Sequence, residues 1–369
     1  MFNYSSLMNK KILFYFNSLQ PSGGIERVIS TLSEKLASNY DITIIVKDDP
    51  ISFYPLDKRV KLISLHSPLN FNMNSRFSRF FAAIKSVYKN TKRLKSYLSI
   101  NTFDYYYLAH PLNVLEFHFA RGINKKDTII SEHGAPDAYN AIYKLLKSYL
   151  YPRAKVYVVP TTTDALFYNS KGLLAQYVPH FKSSLSYEKA PLDQNIALSV
   201  GRFTSVKQQM ILLQIWNNLV NNKKIKNWKL FLVGNGELKG EFEAFILENN
   251  LQGYVFLKPP MQDVAFYYKQ ASLFLLCSKS EGFGMVLLEA ISFGLPCISF
   301  DCPSGPRDII KHNENGYLIP SNNKFAFEQS VIKFILNPDL KIEMSKKSLE
   351  LSNNWDDEKL LSKWNKFLN

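Results

Sequence analysis

The 369-residue sequence contains only three cysteines, Cys277, Cys297 and Cys302, an odd number with no C-x-x-C spacing. That argues against a disulfide framework and against metal or redox chemistry, and leaves small buried apolar side chains as their expected role. The six histidines, His66, His110, His118, His133, His180 and His312, show neither H-x-x-x-H nor Cys/His ligand spacing. No bound metal is therefore expected. No apolar run reaches the roughly 18 residues that a membrane-spanning helix needs. The run at 12–16 after Lys10 and Lys11 is also too short for the core of a signal peptide and reads as a first strand. A cytosolic protein is expected. Acidic residues are missing altogether between Lys58 and Phe103, a span that holds ten basic ones.

What is present fits an ordinary globular chain of about two domains: 46% hydrophobic and 21% charged residues, with aromatics at 14%. Disorder and coiled coil do not suit that balance. The net charge of +14 is uneven: residues 1–190 carry 25 Lys/Arg against 13 Asp/Glu, residues 191–369 carry 20 against 18. A basic first half suits nucleic acid, an anionic membrane or a phosphate-bearing substrate, and composition does not choose among them.

Short runs of β-branched and aromatic residues at 11–16, 42–46, 60–64, 105–108, 128–132 and 156–159 alternate with helical sequence. Periodicity fades over 181–195, which reads as a linker, and the alternation restarts with strands at 195–200, 229–233, 255–257, 273–277, 296–300 and 317–319. This predicts two α/β domains, each a doubly wound parallel sheet, at 1–185 and 186–354. A last helix over about 355–369, with Leu360, Leu361, Trp364 and Leu368 at helical spacing, packs back on the first domain in this expectation.

Ligands of such sheets bind beyond the carboxyl ends of the strands, which selects a few loops. Gly23 and Gly24 open a helix after the first strand, where backbone N–H groups can meet a phosphate; a plain βα turn explains them equally well. Gly201-Arg202 and Lys207 lie in the connection after the second domain's first strand, where cations can meet a diphosphate. Two solvated surface cations are the bland alternative. Gly234 follows the next strand and is read slightly in favour of a simple turn. The sharpest segment is Glu281-Gly282-Phe283-Gly284-Met285-Val286 followed by Glu289. Its amides open a helix, and two carboxylates eight residues apart lie two turns from each other, suited to sugar and ribose hydroxyls. A capped amphipathic helix with surface glutamates accounts for the apolar residues but not for paired carboxylates with paired glycines.

With these residues in place, the sequence resembles the retaining glycosyltransferases of family 4. Glu281 and Glu289 match their E-x7-E signature, residues 22–27 their first glycine loop, Gly201-Arg202 with Lys207 their diphosphate-binding pair, and Ser131-Glu132-His133 a loop whose histidine reaches the donor sugar. The segment 301–310 and Asn315-Gly316 follow in the same order, so the likeness covers most of the chain. Val178-Pro179-His180, Cys277 before Ser278, Lys258-Pro259-Pro260 and Asp308 depart from the usual pattern.

The resemblance implies the GT-B fold, two Rossmann-like domains facing across a cleft, and a metal-independent hexosyltransferase using a nucleotide-sugar donor without any further cofactor. It implies Glu281, His133, Arg202 and Lys207 at the reaction, with Gly23, Gly24, Gly201, Gly234, Gly282, Phe283, Gly284, Met285, Val286 and Glu289 holding the donor. The acceptor would be a glycan or lipid-linked oligosaccharide of the kind used for bacterial surface polysaccharide, such as O-antigen or capsule. The loop at 303–307 inclines the donor toward a UDP-sugar. An epimerase or phosphorylase on the same fold, or a basic nucleic-acid-binding protein, are the rival readings, the latter with no recognition motif to support it. The acid-free segment 74–98, with seven cations between apolar residues three or four apart, reads as an amphipathic helix that docks on an anionic membrane at the inner face of the cell. Packing of its apolar face on the first domain's sheet is the alternative.

Overall fold

Runs of Leu, Ile, Val, Phe and Tyr that are buried along their whole length set the frame of the computed structural model, which describes residues 10–67, 76–136 and 139–368. Residues 74 and 75 of the expected basic helix, and the side chains of 76–83, lie outside what is described. The chain divides into two compact units: Met1–Pro179 with Glu358–Asn369, and His180–Asp357. The division falls at 179/180 instead of the expected 185/186.

Unit 1 holds a parallel sheet of seven strands, β1 (Lys11–Tyr15), β2 (Asp41–Val46), β3 (Lys61–Ser64), β4 (Tyr105–Leu108), β5 (Thr128–Ser131), β6 (Val156–Val159) and β7 (Ala175–Tyr177), in the order β3-β2-β1-β4-β5-β6-β7. Its helices are α1 (Gly24–Leu36), α2 (Arg76–Leu98), α3 (Pro111–Ala120), α4 (Ala141–Leu150) and α5 (Thr162–Ser170). Helices cover both faces of such a sheet, which is why its strands read as continuous apolar runs instead of alternating ones. Leu13, Leu108, Phe117, Ile130 and Tyr157 form its core. Strand β7, Ala-Gln-Tyr, was not expected: an edge strand of three residues has too little apolar sequence to announce itself.

Unit 2 repeats the plan with six parallel strands, β8 (Ile196–Val200), β9 (Lys229–Val233), β10 (Val255–Lys258), β11 (Leu273–Leu276), β12 (Cys297–Asp301) and β13 (Gly316–Pro320), ordered β10-β9-β8-β11-β12-β13. Helices α6 (Gln209–Asn217), α7 (Lys239–Glu248), α8 (Ala265–Gln270), α9 (Met285–Ser292), α10 (Pro306–Ile309), α11 (Lys324–Leu336) and α12 (Pro338–Ser352) connect and cover them. Trp216, Leu230, Phe242, Leu275, Ile298 and Phe327 form the second core. In both sheets the strand order reverses beside the first strand, between β1 and β4 and between β8 and β11. That places the loops after these strands at the crevice where such sheets bind ligands.

The helix α13 (Asp357–Leu368) completes unit 1. Lys10 Nζ donates to the Leu368 carbonyl at 2.9 Å, Tyr40 donates to Asn365 Oδ1 at 3.2 Å, and Trp364 lies against Tyr107 with ring centroids 6.0 Å apart. All three cysteines are buried and free.

Candidate active site

In unit 2 the loops after β8 and β11 bring two expected residues together. Lys207 Nζ donates to Glu281 Oε1 at 2.6 Å, with Glu281 nearly buried and Lys207 partly open. The contact spans 74 residues of sequence and arises because both loops leave adjacent strands in the same direction. Main-chain bonds lock them: Lys279 N–H donates to Val206 O at 2.8 Å, and the Cys277 thiol lies 3.2 and 3.1 Å from the carbonyls of Lys207 and Gln208. Cys277 thus ties the lysine loop to β11, a role its sequence position did not disclose. Burial pushes its thiol well above the ordinary range, so it is a packing group and not a nucleophile.

Arg202 lies in the same loop but its side chain is exposed. Its carbonyl accepts from Gln209 Nε2 at 2.9 Å, which fixes the backbone and leaves the guanidinium facing outward. Gly201 N–H donates to Val233 O at 3.0 Å and Phe203 N–H to Asn235 O at 2.9 Å, so the loop holding Gly234 is sewn onto the Arg202 loop.

Helix α9 begins at Gly284, which caps it with φ 89°, a left-handed conformation that glycine adopts without penalty. The preceding Phe283 is buried beside the imidazole of His180, ring centroids 5.2 Å apart. Gly305, with φ 93°, sits against it: a Cβ there would come within 2.1 Å of Phe283 O. Met285 is buried and Val286 half-buried, with Val286 O accepting from Tyr268. Gly282 lies between the two ends, half-buried.

Glu289 differs from its expected setting. It is 1% exposed, and both carboxylate oxygens already accept, one from Ser183 Oγ and the other from Tyr268 OH at 2.8 Å. Glu289 thus already has donors of the chain on both oxygens, one of them from the linker segment that carries Ser183.

In unit 1, His133 follows β5 and is buried, its Nε2 3.1 Å from Tyr107 OH. What holds the loop is Glu132. Its Oε1 accepts from the N–H groups of His133 at 3.0 Å and Gly134 at 3.2 Å and from Tyr139 OH at 2.7 Å. Its Oε2 accepts from Lys147 Nζ, Tyr157 OH at 2.8 Å and Tyr168 OH at 3.2 Å. Burial alone would raise the Glu132 carboxyl, but the ammonium of Lys147 and the donors around it outweigh that and hold it below the ordinary range. Lys147 looks in sequence like a surface lysine of an amphipathic helix. A second buried pair, Glu116 with Lys47 at 2.8 Å, joins Tyr15 OH at 2.6 Å and Asn90 Nδ2 at 2.9 Å under the loop after β4. Its members are scattered over four elements, so no local pattern signals it.

Gly23 is the N-cap of α1 with ordinary extended backbone, φ −87°, and Gly24 is the first helical residue. The Glu26 carboxylate folds back over this end, so that a Cβ on Gly23 would meet its Oε2 at 2.1 Å. The helix N-terminus already faces a carboxylate of its own, as in a capping box, and an incoming anion has to displace it.

Burial lowers the His133 imidazole to about 4, against a partial upward pull from Glu132, and burial likewise lowers His110 to about 4. Both rings are neutral near pH 7. Since the unfolded chain binds protons near pH 6.5 and the folded one does not, stability is full above pH 6.5 and falls as pH drops toward 4, by up to about 1.4 kcal/mol per pH unit for each ring. The opening free energy of β5 and β6, read by hydrogen exchange between pH 7.5 and 5, should therefore fall less steeply for His133→Gln than for the parent. Equal slopes would show that His133 is not held neutral.

Residues 184–351, most of unit 2, match the profile of glycosyl transferases group 1. Over nearly its whole length the chain is 29% identical to the amylovoran biosynthesis glycosyltransferase AmsD of Erwinia amylovora, covering 97% of this chain and 99% of that one. It is 28% identical to a Campylobacter jejuni N-acetylgalactosaminyltransferase whose name gives an undecaprenol-diphosphate-linked acceptor, covering 89% of each. Among solved structures it superposes on Staphylococcus aureus TarM, in complex with UDP, with a TM-score of 0.79, 16% identity and 98% and 100% coverage of the two chains. It also superposes on the pneumococcal O-GlcNAc transferase GtfA, with UDP and GlcNAc, at a TM-score of 0.77, 14% identity and 97% and 98% coverage. The fold is GT-B, and the chain is a transferase of the glycosyl type.

Proposed function

We propose that the chain is a retaining, metal-independent glycosyltransferase of family 4 type that moves a hexosyl unit from a UDP-sugar to a hydroxyl of a lipid-linked or polysaccharide acceptor, in the cytosol at the inner face of the membrane. The observation that carries this reading is the Lys207–Glu281 pair beside the glycine-capped start of α9, all at the strand-order reversal of unit 2. An ammonium and the N–H groups at a helix start suit the diphosphate of a departing nucleotide, where negative charge grows as the anomeric bond breaks. Arg202, open to solvent in the same loop, adds a second cation. Glu281 orients the sugar through its hydroxyls, and the neutral imidazole of His133 can donate to or accept from a sugar hydroxyl. The acceptor class is supported by the names of the relatives.

Among the described residues no group of three or more His, Cys, Asp or Glu is placed to hold a metal ion, and cations of the chain take the charge-balancing role in this reading. The test is one panel. UDP raises the melting temperature while GDP and ADP do not, since a ligand that binds only the native state stabilises it. A labelled UDP-sugar passes its label to a lipid-linked acceptor with retained anomeric configuration, at a rate that EDTA leaves unchanged. Isomerised donor without transfer would point to an epimerase. Loss of rate in EDTA restored by manganese would overturn the metal-free mechanism.

A further inference from the structure

On the outer side of unit 1, α2, α3 and α4 leave a groove of about 500 Å³ between them. Ile84 and Val87 of α2, Leu112, Leu115 and Phe119 of α3, and Leu146 of α4 line it. Large apolar side chains of its lining stand bare: Tyr88 at 71% exposure, Phe119 at 61% and Ile142 at 63%. Clusters of this kind on a folded surface mark a site of contact with something apolar.

Among the described residues, the charge beside the lining of α2 has one sign. Lys85, Lys89 and Lys92 follow the lining residues of α2 by one position each and are exposed, so they form a row along the flank of the groove. Helices α2 and α4 contain no Asp or Glu at all, and the one acid of α3, Glu116, is buried against Lys47. The sequence left open whether the apolar face of α2 is spent on the sheet or is free. It is divided: Leu94 is fully buried, while Ile84 and Tyr88 remain exposed at the groove.

We infer that this groove is a seat for an acyl chain of an anionic bilayer, with the lysine row on the phosphate headgroups and Tyr88 and Phe119 at the level of the interface. An apolar slot alone would accept a protein helix as readily. A slot flanked on α2 by lysines alone among the described residues, with an amphipathic tyrosine and a bare phenylalanine at its mouth, matches a surface whose outer layer is anionic and whose inner layer is hydrocarbon. The inference stands on unit 1 alone and does not depend on which sugar is transferred.

The experiment reads depth, not just attachment. Phe119→Trp places a fluorophore at an exposed position where a larger ring fits. In vesicles of phosphatidylglycerol and phosphatidylcholine its emission shifts to the blue and is quenched by lipids brominated on the acyl chain, at least threefold more than the parent protein's own four tryptophans. Changing Lys85, Lys89 and Lys92 together to Gln weakens vesicle binding at least tenfold at 0.1 M salt, with circular dichroism unchanged. Binding to anionic vesicles without acyl-chain quenching would mean that charge docks the protein and the groove stays empty, which overturns the inference. So would absence of binding, or a blue shift that needs no lipid and grows with protein concentration, which would give the face to a second copy of the chain. None of these outcomes touches the transferase assignment, because no sugar transfer is read.

Discussion

Glu281→Gln should retain the fold and lose at least a hundredfold in sugar transfer, about 2.7 kcal/mol of transition-state stabilisation. The substitution keeps volume and shape and removes only the charge. Two consequences follow: in the proposed reading the sugar hydroxyls lose a charge-assisted acceptor, and Lys207 loses the carboxylate that holds its ammonium at 2.6 Å. The cost to stability stays below about 1 kcal/mol, because the Lys207 end is partly solvated. Arg202→Ala is expected to act differently. With its guanidinium exposed and unneeded for packing, it should lower kcat more than it raises KM, if its charge acts on the leaving diphosphate. Steady-state kinetics on both variants, with circular dichroism as the folding control, decide the matter. Turnover of Glu281→Gln within threefold of the parent would take Glu281 out of the reaction.

Glu132→Gln should instead cost unit 1 about 3–5 kcal/mol, the range for leaving one member of a buried ion pair without its partner. Lys147 would stay 3.4 Å over the Tyr139 ring, in a place 3% exposed, without the carboxylate it bonds to. Because the chain has two units, a single unfolding midpoint is a poor measure. Hydrogen-exchange protection of β5 and β6 reports the affected region directly. The double variant Glu132→Gln with Lys147→Met should recover part of the loss, since removing both charges leaves no uncompensated ion. A Glu132→Gln protein as protected as the parent would show that the network does not hold the His133 loop.

The strands were legible because a parallel sheet covered on both faces demands unbroken apolar runs, as in Phe-Leu-Leu at 274–276 or Tyr-Tyr-Tyr-Leu at 105–108. The glycine-capped start of α9 and the neighbouring Glu281 were legible too, since their chemistry is packed into a few consecutive residues. What stayed hidden is long-range. Lys47 meets Glu116 across 69 positions, and Ser183 donates to Glu289 across 106. Lysines 85, 89, 92 and 147 look alike in a helical pattern; only packing shows that Lys147 turns inward to Glu132 while the other three flank the groove. The first glycine loop gave no hint that Glu26 folds back over it, because that depends on a rotamer and not on spacing.

The placement of α13 bears on how the chain is made. A ribosome delivers β1 to β7 first, yet the core of unit 1 is missing Trp364 and Leu368 until all of unit 2 has emerged. Unit 2 is one continuous stretch, whereas unit 1 has Tyr107 uncovered until Trp364 of α13 reaches it. The unit translated first is thus the one whose core closes only with α13, the helix translated after the whole of the other unit.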